Sequence, residues 1–571
     1  MNSNRFRHSA LEILNCGRNA SKDEISQALN KIGLGNFVKL TKAQNEAKCR
    51  VTFKNDEEKN NAMTIISSNP TVTDEAEGPW KVKSVFMKRV HISKEKKEAI
   101  EQKTAADAVA PWRNIPYTEQ LEKKQKEVQE AISTWTESMK LSDYEFKNIV
   151  SSPVIDAYRN KLDFTIGRDS SGKPCVGFRV GSFKEGGSSS FRVEVSDECL
   201  FTSPKIGLEL AKFLSDFIQT ESSLPVYDQE KHEGFWRAFS IRYSDVTKQL
   251  MVILRCATHG EAGEQEKKKV IEYLKRFQHE GIKISSMYWQ YSDEIAFQAA
   301  PEENLEYCFG EQTIEENVLG MKFNVSVGAF FQVNTRGCEV LFEKVRNILN
   351  NQSHKNLLLL DICCGTGVIG LLCANSAKYV IGIELSNPAV EDARKNADTN
   401  SLQDKTTFIC SKAESVLSQL LTGEAKRQLS KKDTVLSELD ESALQKALQE
   451  AKACDEIVAI VDPPRAGLHP SVLKALLRCS AVERIIYVSC NPTGSFIENA
   501  KALCGPMNTK KKDSQETEDI VPFIPVQFIP VDMFPHTDHC ELIAEFVRKP
   551  KIEHEISIAT DKRAKIEEEH S

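Results

Sequence analysis

The 571-residue sequence has no uninterrupted apolar run approaching the ~18 residues a membrane-crossing helix needs, and helical membrane spans are excluded on that ground. An excess of positive charge is also missing. Seventy-five Lys and Arg against 82 Asp and Glu give a net charge of −7, which excludes a generally basic nucleic-acid coat and leaves room for a local basic patch. None of the sixteen cysteines forms a CxxC pair. Scattered singly, several within apolar runs, they fit reduced thiols in the cytosol or nucleus and argue against a zinc ribbon or a disulfide framework. The start, MNSNRFRHSALEILNCGR, lacks the apolar core of a signal peptide, and the acidic Glu12 counts against a mitochondrial presequence. The expected location is therefore the cytoplasm, the nucleus or both, ahead of the mitochondrion. What is present, 40% apolar and 27% charged residues, is the composition of a soluble globular protein. At ~150 residues per domain the length suggests about three or four units.

Along the chain, residues 1–91 read as βαββαβ, the ferredoxin-like order. SALEILNC, FVKLTK, AKCRVTF and WKVKSVFMKRV are the strands. Ser21 as N-cap and Glu24 three residues on open the first helix, and DEEKNNAMTIISS is the second. Residues 1–90 carry 15 Lys+Arg against 10 Asp+Glu, or +5, so the rest carries −12. This domain resembles an RNA recognition motif, with a departure on its third strand. Lys48 and Arg50 stand where such motifs place base-stacking aromatics, and Glu12 replaces an aromatic on the first strand. RNA on this sheet would be held by phosphate contacts and guanidinium stacking, with little sequence choice. A protein-interaction domain of the same topology is the competing reading.

Residues 92–145, rich in Lys, Glu, Gln and Ala, read as a charged, solvated helical linker. Residues 146–328 are strand-rich, interrupted by the helices IGLELAKFLSDFIQT and EKKKVIEYLKRF, and read as a middle domain suited to gripping a substrate. In 329–549 short apolar strands alternate with helices, the mark of a doubly wound parallel sheet, with the last two strands placed to form an antiparallel hairpin. TKKKDSQETED at 509–519 reads as a mobile loop and 550–571 as a disordered tail.

The chemistry concentrates in this last third. The first strand there ends in Asp361-Ile-Cys-Cys-Gly365-Thr-Gly367-Val-Ile-Gly370, formally GxGxxG between strand and helix, so a dinucleotide site has to be weighed. Glu384 ends the second strand and suits ribose hydroxyls in either reading. Asp361 leans toward S-adenosylmethionine, whose cationic part calls for negative charge rather than a pyrophosphate cradle. The fourth strand ends in Asp462-Pro463-Pro464-Arg465, a rigid loop where open α/β sheets place substrates. Amino-group methyltransferases put an aromatic after such prolines; here Arg465 follows, a candidate RNA contact. The next strand ends in YVSCNPTG, which brings Cys490 to the same edge. A lone cysteine there is more often structural, but its coupling to DPPR and to Asn491-Pro492 makes it a candidate nucleophile.

FFQVN (330–334), DICCGTG, VDPPRAGLHP, YVSCNPTG and DMFPHTDHCEL, with YRNKLDF at 158–164, together resemble the RNA uracil-5 methyltransferase family over roughly residues 150–549. The resemblance implies a Rossmann-like class I methyltransferase domain that uses S-adenosylmethionine. The added N-terminal domain resembles the branch that forms 5-methyluridine at the T-loop uridine, position 54, of tRNA. Carried over are Cys490 as nucleophile, Glu541 as proton acceptor, and Gln332, Gly365, Glu384 and Asp462 as donor contacts. Cys363 stands where bacterial relatives often place an aromatic. His536 and His539 flank Glu541 and receive no role. Bacterial ribosomal members hold an iron–sulfur cluster on closely spaced cysteines; without that spacing, neither cluster nor metal is expected here. A monomer acting on tRNA is the expected state.

The chemistry accounts for these residue types. Carbon 5 of uracil is a poor nucleophile, and a thiolate adding to C6 activates it, after which a carboxylate removes the C5 proton. The target nucleotide has to flip out of its stack. Rival readings are the same chemistry on mitochondrial tRNA or ribosomal RNA, a non-catalytic RNA-binding or tRNA-folding protein, cytosine-C5 methylation, and an NAD-dependent oxidoreductase. The last explains GxGxxG but neither DPPR nor SCNP, and SCNP does not match the usual cysteine setting of cytosine methylases.

Overall fold

The computed structural model describes residues 9–16, 20–35, 37, 39–42, 48–53, 56–68, 73–74, 78–85, 103–181, 192–228, 231–293, 305–351, 356–422, 437–505 and 521–549. The 509–519 and 550–571 segments lie outside these. The chain divides near residue 100 into two compact units.

In the first unit, β1 (Ser9–Leu14), α1 (Lys22–Lys31), β2 (Lys39–Lys42), β3 (Lys48–Phe53), α2 (Asp56–Ser68) and β4 (Lys81–Val85) follow the expected order. A short hairpin, Thr73–Asp74 with Gly78–Pro79, precedes β4. The antiparallel sheet runs β2-β3-β1-β4, as a ferredoxin-like domain requires. Ser21 accepts from the Glu24 N–H at 3.2 Å while the Glu24 carboxylate accepts from the Ser21 N–H at 2.7 Å, a complete capping box. The two-residue period of β3 buries Cys49, Val51 and Phe53 beneath the helices and leaves Lys48 and Arg50 on the open face.

The second unit begins with a correction. The segment read as a solvated linker forms α3 (Tyr117–Ser138) and β5 (Glu145–Phe146), and both join the catalytic domain. Gln120, Lys124, Val128, Ile132, Trp135 and Thr136 make one buried stripe at helical spacing. Val128, Ile132 and Trp135 pack in the same core as Leu358, Phe496 and Phe528. The helix looks solvated in sequence because three of its buried side chains, Gln120, Lys124 and Thr136, are polar; the partners of Gln120 and Lys124 lie some 410 residues away.

The middle domain is a seven-stranded sheet of β6 (Lys161–Arg168), β7 (Pro174–Val180), β8 (Arg192–Glu194), β9 (Trp236–Tyr243), β10 (Leu250–Cys256), β11 (Ser286–Tyr291) and β12 (Leu305–Gly310). Its order is β8-β7-β6-β9-β10-β11-β12. The helices α4 (Lys205–Thr220) and α5 (Gly260–Leu274) are the two expected; α5 makes the crossover between the parallel pair β10 and β11. The hairpin β13 (Thr313–Val318) and β14 (Met321–Ser326) does not share this core. Ile314, Val318, Phe323 and Val325 pack with Leu341, Phe342 and Leu359, so the expected boundary at 328 falls beyond a hairpin that belongs with the catalytic side.

The catalytic sheet comprises β15 (Leu357–Ile362), β16 (Tyr379–Glu384), β17 (Thr406–Cys410), β18 (Glu456–Val461), β19 (Val482–Ser489), β20 (Phe523–Val531) and β21 (Glu541–Arg548). Its order is β17-β16-β15-β18-β19-β21-β20-β5, parallel except for the reversed β21. This is the expected Rossmann-like α/β sheet. Strand β15 is buried on both faces: Leu357 and Leu359 enter one core, Leu358, Leu360 and Ile362 the other. The expected final hairpin forms, with β21 inside and β5 extending the edge beyond β20.

Candidate active site

One edge of the catalytic sheet gathers nearly all the candidates. Four parallel strands end there, at Ile362, Glu384, Val461 and Ser489, and the reversed β21 begins there with Glu541. Ser489 pairs with Leu542, so one more step along this antiparallel register sets Cys490 opposite Glu541. Val461 pairs with Ile362 on one side and Tyr487 on the other, which places Asp462 between the glycine turn and the cysteine loop.

The glycine turn is shaped for close approach. Cys363 and Gly365 take left-handed backbone at φ 63° and 53°, and a Cβ on Gly365 would point into open space. Glu384 is fixed beside it, accepting from the N–H groups of Gly365 (3.2 Å), Leu385 (2.7 Å) and Ser386 (2.9 Å). Asp361, fully buried, accepts from the Gly370 N–H at 2.8 Å, while its other oxygen and the Thr366 hydroxyl have no hydrogen-bond partner. Burial raises the Asp361 carboxyl to about 7. A pyrophosphate is poorly served: a third-glycine N–H is already taken and an acid lies beneath the turn. A cationic ligand with hydroxyls fits better, with Asp361 and Glu384 as acceptors.

The FFQVN segment is held from the middle domain. The Asn160 side chain donates to the Gln332 carbonyl at 3.0 Å, and the Asn160 N–H donates to the Val333 carbonyl at 2.7 Å. Asn334 caps α6 (Thr335–Asn350) by accepting from the Gly337 N–H at 2.8 Å, and it donates to the Met533 carbonyl at 2.9 Å. Gln332 is thus tied to both the middle sheet and the loop that carries Glu541.

The DPPR and SCNP loops are bound to one another. Ser495 and Asn491 donate to the Arg465 carbonyl at 2.9 and 3.3 Å. Asn499 accepts from the Leu468 N–H at 2.7 Å and from the Tyr487 hydroxyl at 2.8 Å. Within this frame, burial first and then the charges of Glu541 and Asp462 push the Cys490 thiol up to about 11, against the lowering effect of Arg465. Burial, then Asp462, pushes Glu541 well above the usual carboxylate range, again opposed by Arg465. Asp462 itself rises to about 7, through burial and then Asp361. The low thiol pKa that nucleophilic attack calls for is not the resting condition: burial and the neighbouring carboxylates favour the Cys490 thiol, and burial disfavours the charged form of Glu541.

Cys490, Glu541, Asp462, Gly365, Glu384 and Arg465 therefore share one edge, and Gln332 stands two residues before Asn334, which holds the loop leaving that edge. Lys48 and Arg50 belong to the first unit, where Arg50 lies 4.0 Å from Glu12. His536, the unassigned neighbour, is buried and held by Asp156 at 2.8 Å, and His539 is exposed. The residues that frame the site went unread in the sequence. Asn160 sits within YRNKLDF and had a signal to find it; Asn499, Gln120 and Lys124 had none. Among the described residues no cluster of His, Cys, Asp or Glu is placed to hold a metal ion.

The model of the tRNA (Uracil-5-)-methyltransferase family matches residues 227–541. The tRNA (uracil-5-)-methyltransferase homolog A of Mus musculus is 29% identical, over 94% of this chain and 84% of its own. Homolog B of Homo sapiens is 33% identical, over 78% of this chain and 84% of its own. Among solved structures, the Pyrococcus abyssi tRNA (uracil-54, C5)-methyltransferase in complex with S-adenosyl-L-homocysteine superposes with a TM-score of 0.51 at 25% identity. That match covers 76% of this chain and 85% of the other.

Proposed function

The chain belongs to the tRNA (uracil-5-)-methyltransferase family, and on that footing we propose that it methylates carbon 5 of the T-loop uridine, position 54, of tRNA through a covalent bond between Cys490 and C6 of the base. The observation that carries the reading is the placement of Cys490 opposite Glu541 at the sheet edge that also holds Glu384 and Asp462.

S-Adenosylmethionine, when bound, supplies an electrophilic methyl group. Glu384 would take its ribose hydroxyls, the open side of Gly365 would admit it closely, and Asp462 and Gln332 would complete its contacts. The acceptor-rich turn, with an unpartnered Asp361 oxygen, fits such a cation.

Cys490 loses its proton to solvent as its sulfur bonds to C6, and the C5=C6 electron pair moves out as an enolate, which makes C5 nucleophilic. Once C5 carries the methyl group, Glu541 as carboxylate accepts the C5 proton. The C–H electron pair then closes the C5=C6 bond, and the sulfur leaves as thiolate. Both groups act in their ionised forms, which burial disfavours in each. The Arg465 guanidinium opposes that burial and favours ionisation of each. Lys48 and Arg50 would hold the flipped tRNA by its phosphates, adding affinity without sequence choice.

The test is methyl transfer from labelled donor to unmodified tRNA transcript, with the product nucleoside identified by mass and mapped along the RNA. 5-Methyluridine at position 54 from wild type, and none from Cys490→Ala, is the expected result. Equal labelling by the two proteins would sink the covalent mechanism, and methylation confined to another uridine would sink the assignment to position 54.

A further inference from the structure

The loop between β20 and β21, Asp532 to Cys540, ends directly on Glu541, and it contains no glycine to ease its turns. His536 nevertheless takes left-handed backbone at φ 65°, a conformation a side chain tolerates only when its surroundings impose it. Asp156 holds the His536 Nε2 at 2.8 Å and the Tyr158 hydroxyl donates to the Pro535 carbonyl at 3.0 Å, and further ties come from the segment before the middle domain. The Gln120 side chain reads His536 at two points, accepting from its N–H at 2.7 Å and approaching its Nδ1 at 3.2 Å. The Trp112 N–H donates to the His536 carbonyl at 2.9 Å. One turn further along α3, the Lys124 ammonium donates to Asp532 at 2.8 Å and to the Phe534 carbonyl at 2.9 Å. The side chains of Lys124 and Asp532 are both fully buried. The start of the loop is closed by the Phe534 N–H, which donates to Asp532 at 3.0 Å.

Such a clamp is more than a core helix needs. Val128, Ile132 and Trp135 already anchor α3 through apolar packing, whereas Gln120 and Lys124 spend buried polar groups on a loop whose one chemical residue is its end. We propose that Gln120 and Lys124 are positioning residues for proton abstraction, holding the Asp532–Cys540 loop so that Glu541 is aimed at the C5 proton of the base bonded to Cys490. The inference rests on the proposed uridine C5-methylation. It assigns to α3 a part in the second half of the reaction, the removal of the C5 proton and release of the thiolate, and none in the addition and methyl transfer that precede it.

A tRNA transcript made with 5-fluorouridine separates the two halves. Its C5 bears fluorine, so Cys490 adds and the methyl group arrives, but no proton can be taken and the adduct persists. The proteins to compare are wild type, Gln120→Leu, and the paired neutral variant Lys124→Met with Asp532→Asn, which leaves no buried charge without a partner. Each is checked for folding by its thermal transition, and either variant suffices if the other does not accumulate. Expected is a fall of roughly 10- to 100-fold in turnover on uridine tRNA, with adduct formation on 5-fluorouridine tRNA staying within about threefold of wild type. Glu541→Gln should show the same split. A parallel fall in both assays, or no fall in either, overturns the positioning role. Wild-type protein inactive in both would refute the methylation reading itself, and that outcome is distinct because it appears before any variant is compared.

Discussion

Cys490 and Glu541 stand opposite one another across the junction of β19 and β21, because Ser489 pairs with Leu542 and both strands meet the sheet edge one residue later. A parallel strand in the place of β21 would bring the start of β21, and so Glu541, to the far edge of the sheet. The reversed strand is what lets one residue from each neighbour reach the same base.

Glu541→Gln keeps the side-chain shape and removes the proton acceptor. Turnover should fall about 10²- to 10⁴-fold, while a protein–RNA adduct that survives denaturing electrophoresis accumulates. An adduct no more abundant than in wild type would remove Glu541 from the proton-transfer step.

Arg465 sets the pH dependence. The ionised forms of Cys490 and Glu541 are the active ones, and burial raises both groups, so kcat/KM should climb with pH through and above neutrality. The guanidinium lowers both, so Arg465→Gln should move the rising limb to higher pH. A limb that stays in place, or moves to lower pH, contradicts the electrostatic role.

Asp462 exchanges stability for function. Its folded carboxyl is raised to about 7, above an unfolded value of 3.8. The folded state therefore binds this proton more tightly, and its stability is lost as pH rises from about 4 to about 7. Asp462→Asn should be close to neutral for stability at pH 4 and stabilise the free protein at pH 8, by up to about 4 kcal/mol, while weakening binding of the methyl donor. Thermal denaturation at the two pH values, with donor titration, checks both parts.

Lys124 carries a stability cost that its place in a charge run conceals. Lys124→Ala leaves the Asp532 carboxylate buried without its cation and should destabilise the catalytic unit by about 3–5 kcal/mol. Lys123 and Lys126, exposed on the same helix, should cost well under 1 kcal/mol each when changed to Ala. Denaturant unfolding of the three variants makes the comparison.

Lys48 and Arg50 are expected to contact phosphate. The double change Lys48→Ala with Arg50→Ala should weaken binding of different tRNAs by similar factors and reduce the slope of log affinity against log salt by about one to two. An unchanged slope would leave the first domain with a role other than RNA contact.

Much of this protein is fixed locally and so is legible in its residues. The Ser21 capping box, the alternation of β3 and the apolar runs of β15 through β21 depend on neighbours within a few positions. The clustering of Asp361, Glu384, Asp462 and Cys490 follows as well, since parallel strands of one sheet deliver their carboxyl ends to one edge. The tertiary structure alone decided the rest. Gln120 and Lys124 look like solvent-facing residues until His536 and Asp532 come to meet them, and Asn499 declares itself only as the tie that holds the Arg465 loop in place. Burial also sets the acidity of Cys490, on which the sequence is silent, because a thiol's acidity depends on the solvent and charges around it, and these are supplied by strands distant in sequence.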